Sequence, residues 1–166
     1  FLVSAHKHPL PFKEQLLTRA RQSPTLVQLD SAFMLYIILS QLLEYYEELT
    51  ERLEDEIQRM EERALTTTSD DFLEELLHFK RYIFALSRLV EQHRTIFTAF
   101  LRADFPFVSE EQTAPYFREL EAELTRLADL LLGAKEAVNG TFDIYVSHVS
   151  HRTNQIMKVL TLVSTV

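Results

Sequence analysis

Leu76, Ile83, Val90 and Phe97 fall seven residues apart, and Phe72, Phe79, Leu86, His93 and Phe100 form a companion row beside them. A repeat of seven places both rows on one side of a helix, so this stretch predicts a helix from Asp70 to Arg102 with a coiled-coil seam. A second apolar stripe runs through Leu42, Tyr46, Leu49, Leu53, Ile57, Met60 and Ala64, and predicts a partner helix over roughly Leu26 to Ala64. The front of that helix, Phe33 to Leu39, is apolar nearly all round and is expected to be buried on more than one side. A third stripe, Phe117, Leu120, Leu124, Leu127, Leu131, Val138 and Tyr145, predicts a helix from about Thr113 with no strong stop before the chain ends. At 1.5 Å per residue such a helix is roughly 80 Å long.

The breaks between these patterns are few. Thr66-Thr67-Thr68-Ser69 reads as a turn, with Ser69 as the N-cap of the helix that follows. Phe105-Pro106-Phe107 separates the second and third long helices, and Ser109 with Gln112 has the form of a capping box. Pro11 stands before a short amphipathic helix, Phe12–Arg21, which Ser23-Pro24 ends. Phe1 to Ala5 reads as a strand, one with nothing in this chain to pair with. The predicted fold is therefore all-α: three long helices in an extended antiparallel bundle, the last a long stalk, plus a strand left over from a preceding α/β domain. The expected divisions are 1–24 for the strand, linker and short helix, 25–104 for the antiparallel pair, and 105–166 for the stalk.

Beyond Tyr145 the third helix changes character. Phe142, Val146, Val149, Ile156, Leu160 and Val163 take over the apolar row. Beside it runs a row of small, polar, nearly uncharged residues: Asp143, Ser147, Ser150, Asn154, Met157, Thr161 and Ser164. Such a pair of rows suits a helix whose copies surround a wet axis. From Ile156 onward the only charge is Lys158, which predicts the opening of a membrane span.

Composition narrows the chemistry. Two Gly and five Pro in 166 residues favour long helices over sheets. There is no Cys, which removes disulfides, thiolate metal sites and cysteine nucleophiles. A net charge of −8 speaks against a nucleic-acid surface. No Ser-His-Asp arrangement or phosphate-cradling Gly loop is present, so the chain does not read as an enzyme. The acidic run Glu44–Glu62 is read either as a solvated helix face or as an electrostatic sensor of divalent cations. Glu75-Leu76-Leu77-His78 has the spacing of a di-iron motif but lacks its second copy. His93, in the seam, is expected to be a core histidine held by a neighbour. His148 and His151, near one turn apart, flank the polar row without joining it.

Ser147-His148-Val149-Ser150-His151-Arg152-Thr153-Asn154-Gln155-Ile156-Met157-Lys158-Val159-Leu160-Thr161 strongly resembles the stalk-to-membrane segment of CorA magnesium channels. Phe142-Asp143-Ile144-Tyr145 fits the same register, and Phe105 to Glu111 with Tyr116 to Glu119 resemble the start of that family's stalk helix. Phe1-Leu2-Val3-Ser4 and His6 look like the last strand of its N-terminal α/β domain. The resemblance implies a homopentameric channel in the cell membrane with two transmembrane helices per subunit. This chain would be its cytoplasmic metal-sensing and gating part, ending where the first span begins. The ions implied are Mg2+, both carried and regulatory, with Co2+ and Ni2+; the zinc-transporting branch, carrying Zn2+, is the nearest alternative. A structural or adaptor coiled-coil protein is the alternative from periodicity alone. The resemblance further implies pore-facing roles for Asn154 and Met157 and an acidic ring at Asp143; Ser147, Ser150 and Thr161 join that row by spacing. Glu119 falls where the family has an Asp that helps bind regulatory metal between subunits, and its neighbours here are Ala122 and Glu123.

Overall fold

The computed structural model describes residues 2–3, 5, 7–22, 31–102 and 113–164, and the side chains of 19–22 are not among what it describes. Among the described residues four helices follow one another: α1 (Lys13–Gln22), α2 (Ser31–Ala64), α3 (Asp70–Phe100) and α4 (Ala114–Ser164). The fold is all-α, with three long helices. No strand occurs among the described residues. Leu2 and Val3 of the segment read as a strand are exposed, and Phe1 and Ser4 lie outside the described residues. A strand needs a ladder partner for its backbone, and the described residues supply none there.

Local chemistry sets the helix ends. Ser69 Oγ accepts the Asp71 N–H at 3.2 Å, which makes Ser69 the cap of α3. Asp70 and Asp71 in the first turn add favourable charge at the positive end of the helix. The α3 helix closes tightly, with Leu101 N–H donating to Thr98 O and Arg102 N–H to Ala99 O, three residues back. Asn139-Gly140 passes without interruption through α4, and both glycines stand with open space around them. The predicted capping box at Ser109 and Gln112, the Phe105-Pro106-Phe107 break and the predicted helical start at 26–30 lie outside the described residues.

The chain divides into two compact units, Phe1–Thr50 with Leu89–Asp129, and Glu51–Arg88 with Leu130–Val166. In the first, Tyr46 of α2 meets His93 of α3 and Glu47 pairs with Arg126 of α4. Phe100 of α3 lies against Phe117 of α4 at 5.9 Å, and Thr98 Oγ1 donates to Glu121 at 2.9 Å. Phe33 and Tyr36 of α2 both pack on the Tyr116 ring, at 5.3 and 5.1 Å. Running along α2 from 33 to 47 therefore means running along α4 from 116 to 126, while α3 runs the other way. Leu43, Val90, Leu120, Leu124 and Leu127 are sealed in its core.

The second unit repeats the arrangement. Arg63 of α2 grips Glu75 of α3, and Phe72 and Phe84 of α3 face Tyr145 and Lys135 of α4. Its core holds Leu53, Ile57, Met60, Phe72, Leu76, Ile83, Leu131, Val138 and Tyr145. Each sealed aliphatic or aromatic side chain contributes roughly 1.5–3 kcal/mol through removal from water. Most residues of the predicted seams are buried, but Leu42, Leu49, Phe79, His93 and Phe100 are half-buried, and at the front of α2 Leu43 and Thr50 are sealed in place of Leu42 and Leu49. Positions 33–39 differ: all are half-buried rather than buried.

Candidate functional site

Two regions carry the residues singled out above. The first is the end of α4. Asp143, Ser147, Ser150, Asn154, Met157 and Thr161 are all exposed, as is Ser164. On a helix of 3.6 residues per turn they share an arc of about 100°. The row is thus a continuous solvent-facing stripe within this chain. Thr161 Oγ1 donates to the Met157 carbonyl at 2.8 Å and Ser164 Oγ to that of Thr161 at 3.1 Å, so these hydroxyls are held along the helix by their own backbone.

The neighbouring apolar row does not bury itself either. From Ser150 to Ser164 every residue is exposed, and Ile156, Leu160, Leu162 and Val163 range from 54% to 72%. The expectation that this row takes over as a packing face is met only at its start, where Phe142 and Val149 are half-buried and Lys80 Nζ lies 5.5 Å from the Phe142 ring centroid; from Ile156 onward no described residue of the chain covers it. An uncovered apolar run of this length is costly in water and marks a surface that something else covers. No described helix is long and apolar enough to cross a membrane.

The start of this segment is anchored. Tyr145 OH donates to the Ser69 carbonyl at 3.0 Å, its ring lies 5.4 Å from Phe72, and Arg152 Nη1 donates to Thr68 Oγ1 at 3.0 Å. The turn between α2 and α3 is thereby fastened to α4 in the same stretch that carries Asp143, Ser147 and Ser150.

The second region surrounds Glu119. It is exposed on α4, with Glu123 half-buried one turn later. Burial, and then the negative charges of Glu119 and Glu44, push the Glu123 carboxyl above the usual range. Burial, and then the negative charges of Glu119 and Glu123, raise the Tyr36 hydroxyl. Sequence reasoning named Glu119 and noted Glu123 only as a changed neighbour; the signal that would have found it is the like-charged i, i+4 pair beside an acid on α2. These acids form an electronegative patch, yet no three His, Cys, Asp or Glu side chains converge on one point among the described residues.

Among the remaining candidates, Glu75 and His93 are held by side-chain partners. Glu75 is held by both Arg63 nitrogens at 2.9 and 2.6 Å, which keeps its carboxyl below the usual range and commits it to an ion pair. His93 is held as expected: its Nδ1 lies 3.1 Å from Tyr46 OH, with the two rings stacked at 5.8 Å. Burial pushes His93 down, and burial followed by the Tyr45 charge pushes Tyr46 up to about 12. His148 is half-buried and His151 exposed. Along the acidic run, Glu56 pairs with Arg59 at 2.6 Å and Glu44 accepts from Gln41 at 2.5 Å, while Glu51, Glu54, Asp55 and Glu62 are exposed.

A sequence profile of the family described as "CorA-like Mg2+ transporter protein" matches residues 1–166, the full length of the chain. The chain belongs to this family. It is 31% identical to the cobalt/magnesium transport protein CorA of Thermotoga maritima over 134 residues, which are 81% of this chain and 38% of that protein. Against the cobalt/magnesium transport protein CorA of Methanocaldococcus jannaschii the identity is 26% over 134 residues, 81% of this chain and 42% of that one. The chain thus spans less than half the length of these CorA relatives. The complete structure of the CorA magnesium transporter from Methanocaldococcus jannaschii superposes with a TM-score of 0.76 at 22% identity, over 91% of this chain and 49% of that one. That likeness places the CorA fold of the fragment on structural grounds as well.

Proposed function

We propose that this CorA-family chain is the metal-sensing and gating part, on the cytoplasmic side of the cell membrane, of a homopentameric channel for Mg2+ and related divalent cations such as Co2+ and Ni2+. The observation that carries the reading is the bare end of α4, a polar stripe from Asp143 to Ser164 flanked by an apolar row that, from Ile156 onward, nothing else described in the chain covers. In a ring of parallel copies the apolar rows would meet neighbours or lipid, and the polar rows would face a common axis. Oxygen-bearing side chains on that axis can hydrogen-bond the waters that Mg2+ gives up reluctantly. Asp143 would gather cations at the inner mouth, and Met157 would narrow the wet column. Residues 1–24 would then join a preceding α/β domain, 25–104 form the outer helix pair, and 105–166 the stalk leading into the first span.

Regulation fits the Glu119 patch. A hard carboxylate suits Mg2+, directly or through water, and Glu123 and Glu44 strengthen the negative field there. Movement of α4 would reach the outer pair through Tyr145 and Arg152. The names of the relatives support Mg2+ and Co2+ as the ions carried. The test is flux through the intact protein in liposomes loaded with a Mg2+-sensitive dye, together with its mass in detergent. Mg2+ entry by an assembly of five copies is expected; no flux, or a different copy number, overturns the reading.

A further inference from the structure

Phe84, on the outer side of α3, is flanked by two cations: Lys80 Nζ lies 5.8 Å and Lys135 Nζ 4.9 Å from its ring centroid. It lines a groove of about 690 Å³ with Leu77, Lys80, Arg81, Ala85 and Arg88. Leu77 and Phe84 are 39% and 37% exposed, large apolar side chains left at the floor of a basic surface. Four cations gather here in a chain whose net charge is −8. Lys80, Arg81, Arg88 and Lys135 make no ion pair with a described carboxylate. Such a cluster costs repulsion that an anionic partner removes.

The layout selects the partner. Arg81 and Arg88 stand two turns apart on α3, about 10 Å along the axis, so the charges are spread along a helix and do not converge on one phosphate. An elongated acidic surface fits. The chain carries one: Glu51, Asp55 and Glu62 are exposed and, with Gln58, occupy the outer stripe of α2. Both stripes span twelve residues with the same i, i+4, i+7, i+11 spacing, Leu77-Arg81-Phe84-Arg88 and Glu51-Asp55-Gln58-Glu62.

Their heights also agree. Arg63 opposite Glu75 fixes the register of the antiparallel α2 and α3 in this unit. Counting equal rises from that pair sets Arg88 level with Glu51, Phe84 with Asp55, and Leu77 with Glu62, to within about 1.5 Å. A rotation about an axis parallel to the helices preserves height, so the basic stripe of one copy would meet the acidic stripe of the next at the right level. We infer that the basic groove of α3 docks the acidic outer stripe of α2 from a second copy of this chain, through an Arg88–Glu51 ion pair, with Arg81, level with Gln58, reaching about 4.5 Å along the axis to Asp55 beside Phe84. The contact is heterologous and therefore closes only as a ring. It rests on the multi-copy reading above and adds a lateral seam remote from the proposed axis.

Cysteine cross-linking in the intact protein tests this. Arg88→Cys in one tagged copy and Glu51→Cys in a differently tagged copy, co-expressed and mildly oxidised, should give product carrying both tags, about tenfold above either variant alone. Both positions are exposed, and the melting temperature of each variant reports its fold. Reversal at Lys80→Glu, Arg81→Glu and Arg88→Glu should abolish the product formed by a Phe84→Cys and Asp55→Cys pair, and Glu51→Lys with Glu62→Lys should restore it. An intact oligomer without mixed product overturns the inference and leaves the channel reading standing. Loss of all oligomer overturns both. Thermal stabilisation by millimolar inorganic phosphate without mixed product assigns the groove to a small anion and likewise overturns the inference.

Discussion

Tyr145 OH donates to the Ser69 carbonyl across 3.0 Å, joining α4 to the turn between α2 and α3 although 76 residues separate the two. Removing the hydroxyl alone isolates that bond. Tyr145→Phe keeps the ring against Phe72 and should cost about 1 kcal/mol in urea unfolding. Tyr145→Ala, which also empties a buried site, should cost roughly 3–5 kcal/mol. Equal losses for the two would show that the hydroxyl, rather than the ring, holds this end of the unit. No loss for Tyr145→Phe would remove the tie.

The Tyr46–His93 pair, a buried tyrosine against a half-buried histidine, sets a pH dependence. Burial lowers His93 below its ordinary value, so the unfolded chain takes up the proton first as pH falls. The stability it contributes is complete above its unfolded value near 6.5 and declines as pH drops through the lower folded value. Glu123 acts with the opposite sign: raised chiefly by burial, it favours the fold at low pH and loses that contribution as pH rises through its folded value. His93→Gln should therefore flatten the fall in unfolding midpoint between pH 7.5 and 5.5, and Glu123→Gln should steepen it. Parallel profiles for wild type and His93→Gln would place the titration elsewhere.

What the sequence revealed follows from range. Leu76, Ile83, Val90 and Phe97 announced their burial because a seven-residue period is a local property, and all four are sealed. The same holds for Leu120, Leu124, Leu127 and Leu131 on α4. The Tyr145–Ser69 tie and the Lys135–Phe84 contact lay hidden, since no periodicity encodes which residues meet across so many intervening positions. Leu77 and Phe84 stand outside the seam rows, and hydropathy alone does not say that such a side chain belongs to a surface groove. Ile156, Leu160 and Val163 form the apolar row that the spacing marks, and no described residue of the chain covers them.

Glu119 is the point at which metal regulation can be separated from conduction. In the intact protein Glu119→Gln should raise the internal Mg2+ needed for half-inhibition about fivefold or more, a typical coupling between an effector site and a remote gate. The order of ions carried should stay the same. Glu123→Gln should act in the same direction, since its charge belongs to the same patch. Unchanged inhibition in both variants would move the sensor to another part of the protein.

The polar stripe of α4 is the centre of the functional reading, and accessibility of single cysteines to a water-soluble thiol reagent during ion flux tests it directly. Asp143, Ser150, Asn154 and Met157 lie on one face by the pitch of the helix, and Val149, Ile156 and Leu160 on the adjacent one. Cysteine at 150, 154 or 157 in the intact protein should react and block Mg2+ flux, while cysteine at 149, 156 or 160 should leave it open. Equal block from both rows, or block from the apolar row alone, would contradict the account.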